Sequence, residues 1–231
     1  MMRFDIFSKK TWIFIFLMGV FQILSIAFDQ FVIQKEDTSR NLGAERYRLL
    51  EQRSDLLRYN SMIVKGVKLA SDISLYIDRS KVNNELKKSF YKSTLLDIGI
   101  LNSNLLKDDL LKKILNKKKV KYKNYKGELV TNSIYDVIQK NTNEIKKLGD
   151  QSLGIDVIYN LIPWTSQLLG YANTTVVATL KETQEDILKN SEKTFEVDNQ
   201  RQSFLLFSLF FQLTSLLFLL IFFREIMKQN S

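Results

Sequence analysis

Two stretches decide the fold: Thr11–Phe28, TWIFIFLMGVFQILSIAF, and Ser203–Phe223, SFLLFSLFFQLTSLLFLLIFF. The first holds no charge for 18 residues, and Phe31 to Ile33 extend it past Asp29; the second runs 21 residues without a charge. A helix of about 20 apolar residues crosses the hydrocarbon core of a bilayer. Both stretches therefore read as transmembrane helices, over 11–33 and 203–223. Arg3, Lys9 and Lys10 precede the first as they would in a signal peptide, but no small-x-small cleavage site follows in SIAFDQFVIQKED. The apolar part is also longer than a usual signal core, so an uncleaved anchor is expected.

Outward from the spans, the flanking charges tie. The terminal sides carry Arg3, Lys9, Lys10, Arg224 and Lys228; the inner sides carry Lys35, Arg40, Lys189, Lys193 and Arg201. A loop much longer than about 60 residues translocates largely regardless of charge. Lys9 and Lys10 abut the first span, while Asp29, Glu36 and Asp37 follow it. The expectation is a two-pass protein of the cell membrane, with residues 1–10 and the tail 224–231 cytoplasmic and residues 34–202 outside the cytosol.

The segment between the spans is long enough for a core. From Leu42 an apolar residue recurs every seven: Leu42, Leu49, Leu56, Ile63, Ala70 and Ile77, with Tyr59, Val67 and Ile73 in complementary places. A sustained heptad predicts one long, left-handed supercoiled helix continuing the first span. Ser80–Asn84 reads as a turn. A second helix is expected from Asn84 to about Lys117, with Gly99 or Asn102-Ser103-Asn104 splitting it. Residues 118–132 lose the helical period and read as a loop with a hairpin at Lys126-Gly127. Ser133 is the predicted N-cap of a third helix running to about Leu148. Gly149 and Gly154 interrupt it, and Pro163-Trp164 marks a corner. A fourth helix from Thr165 feeds the second span. The predicted fold is all-α: two transmembrane helices carrying an up-down-up-down four-helix bundle.

Composition excludes much. There is no Cys, so no disulfide framework, thiolate metal site or Cys nucleophile, and no His, the commonest general base and metal ligand. One Pro and 8 Gly in 231 residues leave little turn punctuation. No Gly-rich phosphate loop, metal-ligand cluster or nucleophile-base arrangement is present, so no catalytic residue, metal or cofactor is expected and the chain reads as a non-enzyme. Asn173-Thr174-Thr175 matches a lone glycosylation sequon.

The layout resembles the sensory module of bacterial chemoreceptors and some sensor kinases: a short basic N-terminus, a membrane helix, an extracytoplasmic four-helix bundle and a second membrane helix. The resemblance covers the whole chain and rests on layout, with no family-specific motif. Such receptors continue into a long cytoplasmic signalling domain. Here eight residues follow the second span, REIMKQNS, so any output is expected to run through another protein.

Three features carry functional expectations. In the first span Thr11, Ile15, Met18, Gln22, Ser25 and Asp29 share a heptad stripe, and Ser208, Gln212 and Ser215 share a face of the second. Gln22, Ser25, Ser208, Gln212 and Ser215 are expected to pack membrane helices, within one chain or between copies. Between Lys81 and Lys126 there are 13 Lys against four acids, an excess equal to the whole formal charge of +9. Lys117, Lys118, Lys119, Lys121, Tyr122, Lys123, Tyr125 and Lys126 are expected at lipid headgroups; a location outside the cytosol argues against nucleic acid. Arg46 and Arg53, seven apart among Arg48 and Arg58, are candidates for a carboxylate ligand, as the resemblance implies, against ordinary pairing with Glu45, Glu51 and Asp55. The leading expectation is a homo-oligomeric membrane protein that binds a ligand or partner outside the cytosol and signals or anchors through its spans, alongside other membrane or signalling proteins. The alternative is a scaffold subunit of a larger membrane complex or channel.

Overall fold

The computed structural model describes residues 9–79, 84–123, 128–150 and 155–229. In order they form α1 (Lys9–Arg79), α2 (Asn84–Leu105), α3 (Asp109–Asn116), β1 (Lys119–Lys123), β2 (Leu129–Ser133), α4 (Ile134–Asp150) and α5 (Ile155–Gln229). Helices take 92 % of the described residues, so the chain is all-α apart from one hairpin. It divides into two compact units, residues 1–48 with 187–231, and Leu49–Asp186.

In the first unit α1 and α5 run antiparallel. Phenylalanines at seven-residue intervals face each other: Phe14, Phe21 and Phe28 on α1, and Phe204, Phe211 and Phe218 on α5. Ring centroids are 6.0 Å apart for Phe14–Phe218, 5.8 Å for Phe21–Phe211 and 6.0 Å for Phe28–Phe204, and Phe31 stacks on Phe204 at 5.4 Å. Such ring contacts add packing energy between the two helices beyond the area they bury. Farther along, Ser39 donates to Asp198 Oδ1 at 3.0 Å and Asn190 Nδ2 to Glu45 Oε2 at 3.4 Å.

The second unit is organised around one apolar core. The heptad residues Leu56, Ile63 and Ala70 are fully buried with Tyr59 and Ile73, as the period requires. They join Tyr91, Leu95 and Ile98 of α2, Leu111 and Leu115 of α3, Ile134, Ile138 and Ile145 of α4, and Ile162, Leu168 and Leu169 of α5. One polar thread crosses this core. Asn102 Nδ2 donates to Asn141 Oδ1 at 3.4 Å, Asn141 Nδ2 to Thr165 Oγ1 at 2.9 Å, and the Thr165 hydroxyl to the Leu161 carbonyl at 2.7 Å. Along α5, Thr174, Thr175, Thr179, Thr183, Ser191 and Thr194 likewise donate to the carbonyl four residues back.

Several sequence expectations change here. The second helix is split, but at 106–108 rather than at Gly99 or Asn102–Asn104. Gly99 stays helical, and its missing Cβ leaves room for Ile145 of α4 to approach; Asn102 stays helical, buried and bonded to Asn141. The break comes where Asp108 caps α3, its Oδ1 accepting from Leu110 N at 2.9 Å and Leu111 N at 3.1 Å. The corner at Pro163-Trp164 is absent. Pro163 lies inside α5, where its ring removes one N–H bond, and buried Leu161, Ile162, Trp164 and Thr165 hold the segment to the core. α5 accordingly starts at Ile155, not Thr165. The loop expected over 118–132 is largely a β-hairpin, Lys119 opposite Ser133 and Lys123 opposite Leu129. Ser133 does cap α4, its Oγ accepting from Asp136 N at 3.1 Å and lying 2.7 Å from Asp136 Oδ2. The expected turn at residues 80–83, the Lys126-Gly127 tip and Gly154 lie outside the described residues.

Candidate functional site

The two apolar stretches lie on helices long and apolar enough to cross a membrane. Only 6 % and 11 % of their most apolar windows are buried by the protein itself. A soluble core helix would be mostly covered, and these windows are not.

Between them the polar residues gather on one side. Ser25, Ser208 and Ser215 are buried in the helix contact, and Ser25 Oγ and Ser208 Oγ are 3.2 Å apart. Their small side chains let the backbones approach beside the phenylalanine ladder. The Ser208 hydroxyl donates to Asp29 Oδ1 at 2.5 Å; Gln212 Nε2 reaches Ser208 Oγ at 3.4 Å and Asp29 Oδ2 at 3.5 Å. Gln22, Ser25, Ile26, Asp29, Gln212 and Ser215 line an open groove of about 530 Å³ together with Leu216 and Leu219. Gln22 and Gln212 are both exposed on it. No hydrogen bond joins the two glutamines among the described residues. Asp29 is the member that sequence reasoning left out, although it ends the same heptad stripe as Gln22 and Ser25.

The basic segment folds into an ordered face. Along β1, Val120 and Tyr122 point into the core while Lys119, Lys121 and Lys123 are exposed on the other side. Their cross-strand partners are Ser133, Thr131 and Leu129, with no acid among them. Lys117 and Lys118 are exposed just before the strand, and Leu129 is 68 % exposed beside Lys123. Tyr122, expected at headgroups with the lysines, is instead buried and stacks on Trp164 with centroids 6.4 Å apart. Alternation along a strand forces that division. Burial pushes the Tyr122 phenol above its ordinary pKa, against a lowering by the Asn132 side chain. Tyr125 and Lys126 lie outside the described residues. Behind the hairpin, Tyr122, Val130, Lys140, Asn143, Lys147 and Trp164 border a surface cavity of about 550 Å³, in which Lys147 is bound to Glu144 at 2.9 Å. Nothing in the sequence marked it, since it depends on the strand pairing.

Of the arginines, Arg46 is exposed in the first unit. Arg53, in the second, is half-buried, with a buried Nε that has no hydrogen-bond partner. Arg58 contacts Asp55 at 3.3 Å and Asp108 at 3.8 Å and sits over the Tyr59 ring at 5.2 Å. Among the described residues no group of three or more acids could hold a metal ion. No protein-family profile, curated protein or solved structure matches this chain.

Proposed function

We propose that this is a two-pass membrane protein whose helical part, residues 34–202, forms an up-down-up-down four-helix bundle outside the cytosol and binds a ligand or partner there. Both termini are cytoplasmic in this reading, and the spans anchor the bundle or pass its state to another protein. The observation that carries it is the pair of exposed apolar helices, each an unbroken continuation of a helix that supplies a packed core. Arg46 and Arg53 are the residues proposed for an anionic ligand, and the exposed Lys117, Lys118, Lys119, Lys121 and Lys123 for anionic lipid headgroups. The reading has no catalytic step and no cofactor.

The absence of cysteine makes the topology directly testable. Single cysteines at Lys121 and Thr174 should react with a membrane-impermeant maleimide on intact cells, and one at Arg224 only after permeabilisation. The reverse pattern overturns the orientation. Crosslinking in the native membrane, followed by mass spectrometry of what co-purifies, tests the role. Reproducible recovery of signalling proteins supports a sensor that borrows its output. A fixed stoichiometric set of other membrane subunits replaces it with a scaffold.

A further inference from the structure

The groove between the apolar helices presents two exposed carboxamides, those of Gln22 and Gln212. Phe21 stacks on Phe211 and Ser25 meets Ser208, so the neighbouring residues Gln22 and Gln212 stand at one level of the antiparallel pair. Both line the same groove and both are exposed on it. Gln212 reaches Asp29 and Ser208 with its nitrogen. Its oxygen, and both amide atoms of Gln22, have no hydrogen-bond partner among the described residues. Water satisfies such groups at an aqueous surface. Within hydrocarbon each is costly, and the polar part of the groove must be covered.

We propose that a second copy of this chain covers it, the two copies related by a two-fold axis parallel to the helices. This rests on the reading that α1 and α5 cross a membrane. Two copies inserted in the same sense carry Gln22 and Gln212 at the same depth, so four carboxamides meet in one layer. A carboxamide both donates and accepts. Gln22 of one copy then pairs with Gln212 of the other, and the symmetry repeats the pair, as a self-complementary patch requires. Asp29 stays with Ser208 of its own copy and keeps Gln212 extended toward the groove. Ile26, Leu216 and Leu219 close around the layer. A free lipid headgroup fits less well, because the glutamines lie beside the middle of the phenylalanine ladder rather than at its end.

The test uses the full-length chain in its native membrane. Ile26→Cys, on the groove, should form an oxidised dimer. Leu217→Cys, on the far side of α5 at 100° per residue, should not. In the Ile26→Cys background, Gln22→Leu with Gln212→Leu should lower the dimer yield about threefold or more, the change given by one interhelical bond of average strength in a membrane. Leucine favours insertion, so loss of dimer is not loss of the spans. Equal crosslinking at Ile26 and Leu217, a dimer yield unmoved by the leucines, or a crosslink from Ile26→Cys to a different protein overturns the proposal. An alkaline carbonate wash separates the two levels. Retention in the pellet without the Ile26 dimer defeats the second copy alone, whereas release from the membrane defeats the membrane reading with it.

Discussion

The Tyr59 phenol on α1 stands beside the Asp108 carboxylate that caps α3, and Arg58, donating to the phenol at 3.3 Å, also lies 3.8 Å from that carboxylate, joining the first long helix to the turn where the second breaks. Asp108 also accepts from Leu110 N and Leu111 N, so one side chain ends α2, starts α3 and ties both to α1. Asp108→Ala should lower stability by about 1–2 kcal/mol, a lost cap plus a stranded phenol, read as a fall in melting temperature of the detergent-solubilised chain. Tyr59→Phe should cost less, because the cap survives.

The same pair sets a pH dependence with opposite signs at its two ends. Burial pushes the Asp108 carboxyl up, but the bonds from Tyr59, Leu111 and Leu110 outweigh it and its pKa is lowered. A lowered carboxyl stabilises the fold above its unfolded pKa near 4, and that contribution is lost as pH falls through the folded value. Burial, then the bond to Asp108, raises Tyr59 to about 12. Its contribution is complete below about pH 10 and is lost as pH rises from 10 through 12. Melting temperature should fall at both extremes, and Tyr59→Phe should abolish most of the alkaline fall.

Two glycines should behave oppositely to their helix propensities. A Cβ at Gly99 would stand 2.8 Å from Ile145 Cγ2, a branch fixed close to the α4 backbone. Gly99→Ala should therefore destabilise by about 1–3 kcal/mol despite the better propensity of alanine. At Gly66 the nearest atom is Leu169 Cδ1 at 2.9 Å, the far end of a flexible side chain, so Gly66→Ala should cost less. Gly43 and Gly170 face open space, and alanine at either should stabilise by up to about 1 kcal/mol. Melting curves of the four variants decide the order.

Asn141 is the middle of the polar thread. Asn141→Ala strands the Asn102 amide in the core and should cost about 2–3 kcal/mol. Thr165→Val should cost less, since Thr165 spends its own proton within α5. Equal losses in urea titrations would overturn this asymmetry, and a double variant whose loss is the sum of the two would show that the thread is not coupled.

The exposed lysine face of β1 should bind anionic vesicles. The core lies within residues 49–186, and a fragment of that length is the reagent. Lys119, Lys121 and Lys123 each changed to Gln should weaken flotation with phosphatidylserine vesicles by roughly 1 kcal/mol per lysine at low salt. Equal binding to neutral vesicles would remove the lipid assignment.

The long helices and their buried seam were legible because a heptad needs only side-chain identity and spacing: Leu49, Leu56, Ile63 and Ala70 are the buried ones. The phenylalanine ladder was equally readable, at 14, 21, 28 and 204, 211, 218, but attention to polar residues hid it. Pro163 misled because a proline breaks a helix only where tertiary contacts do not hold the segment. The hairpin was half-legible: lysine-rich alternation gives a weak apolar period, and its register depends on where Val120 and Tyr122 find cover. Asp29 was placed in the polar stripe of the first span but left out of the helix-packing set, although that stripe carries it into the groove beside Gln22 and Ser25.

The hydroxyls of α5 have a mechanical consequence. From Thr174 to Thr194 each named hydroxyl donates to a carbonyl of its own helix, so none donates to a neighbour. In the second unit, lateral hydrogen bonds from other elements reach α5 hydroxyls at two places, Asn141 to Thr165 and Gln52 to Thr183 at 3.4 Å. Among the described residues the α5 hydroxyls there take two lateral keys, and a small axial slide has to shear both.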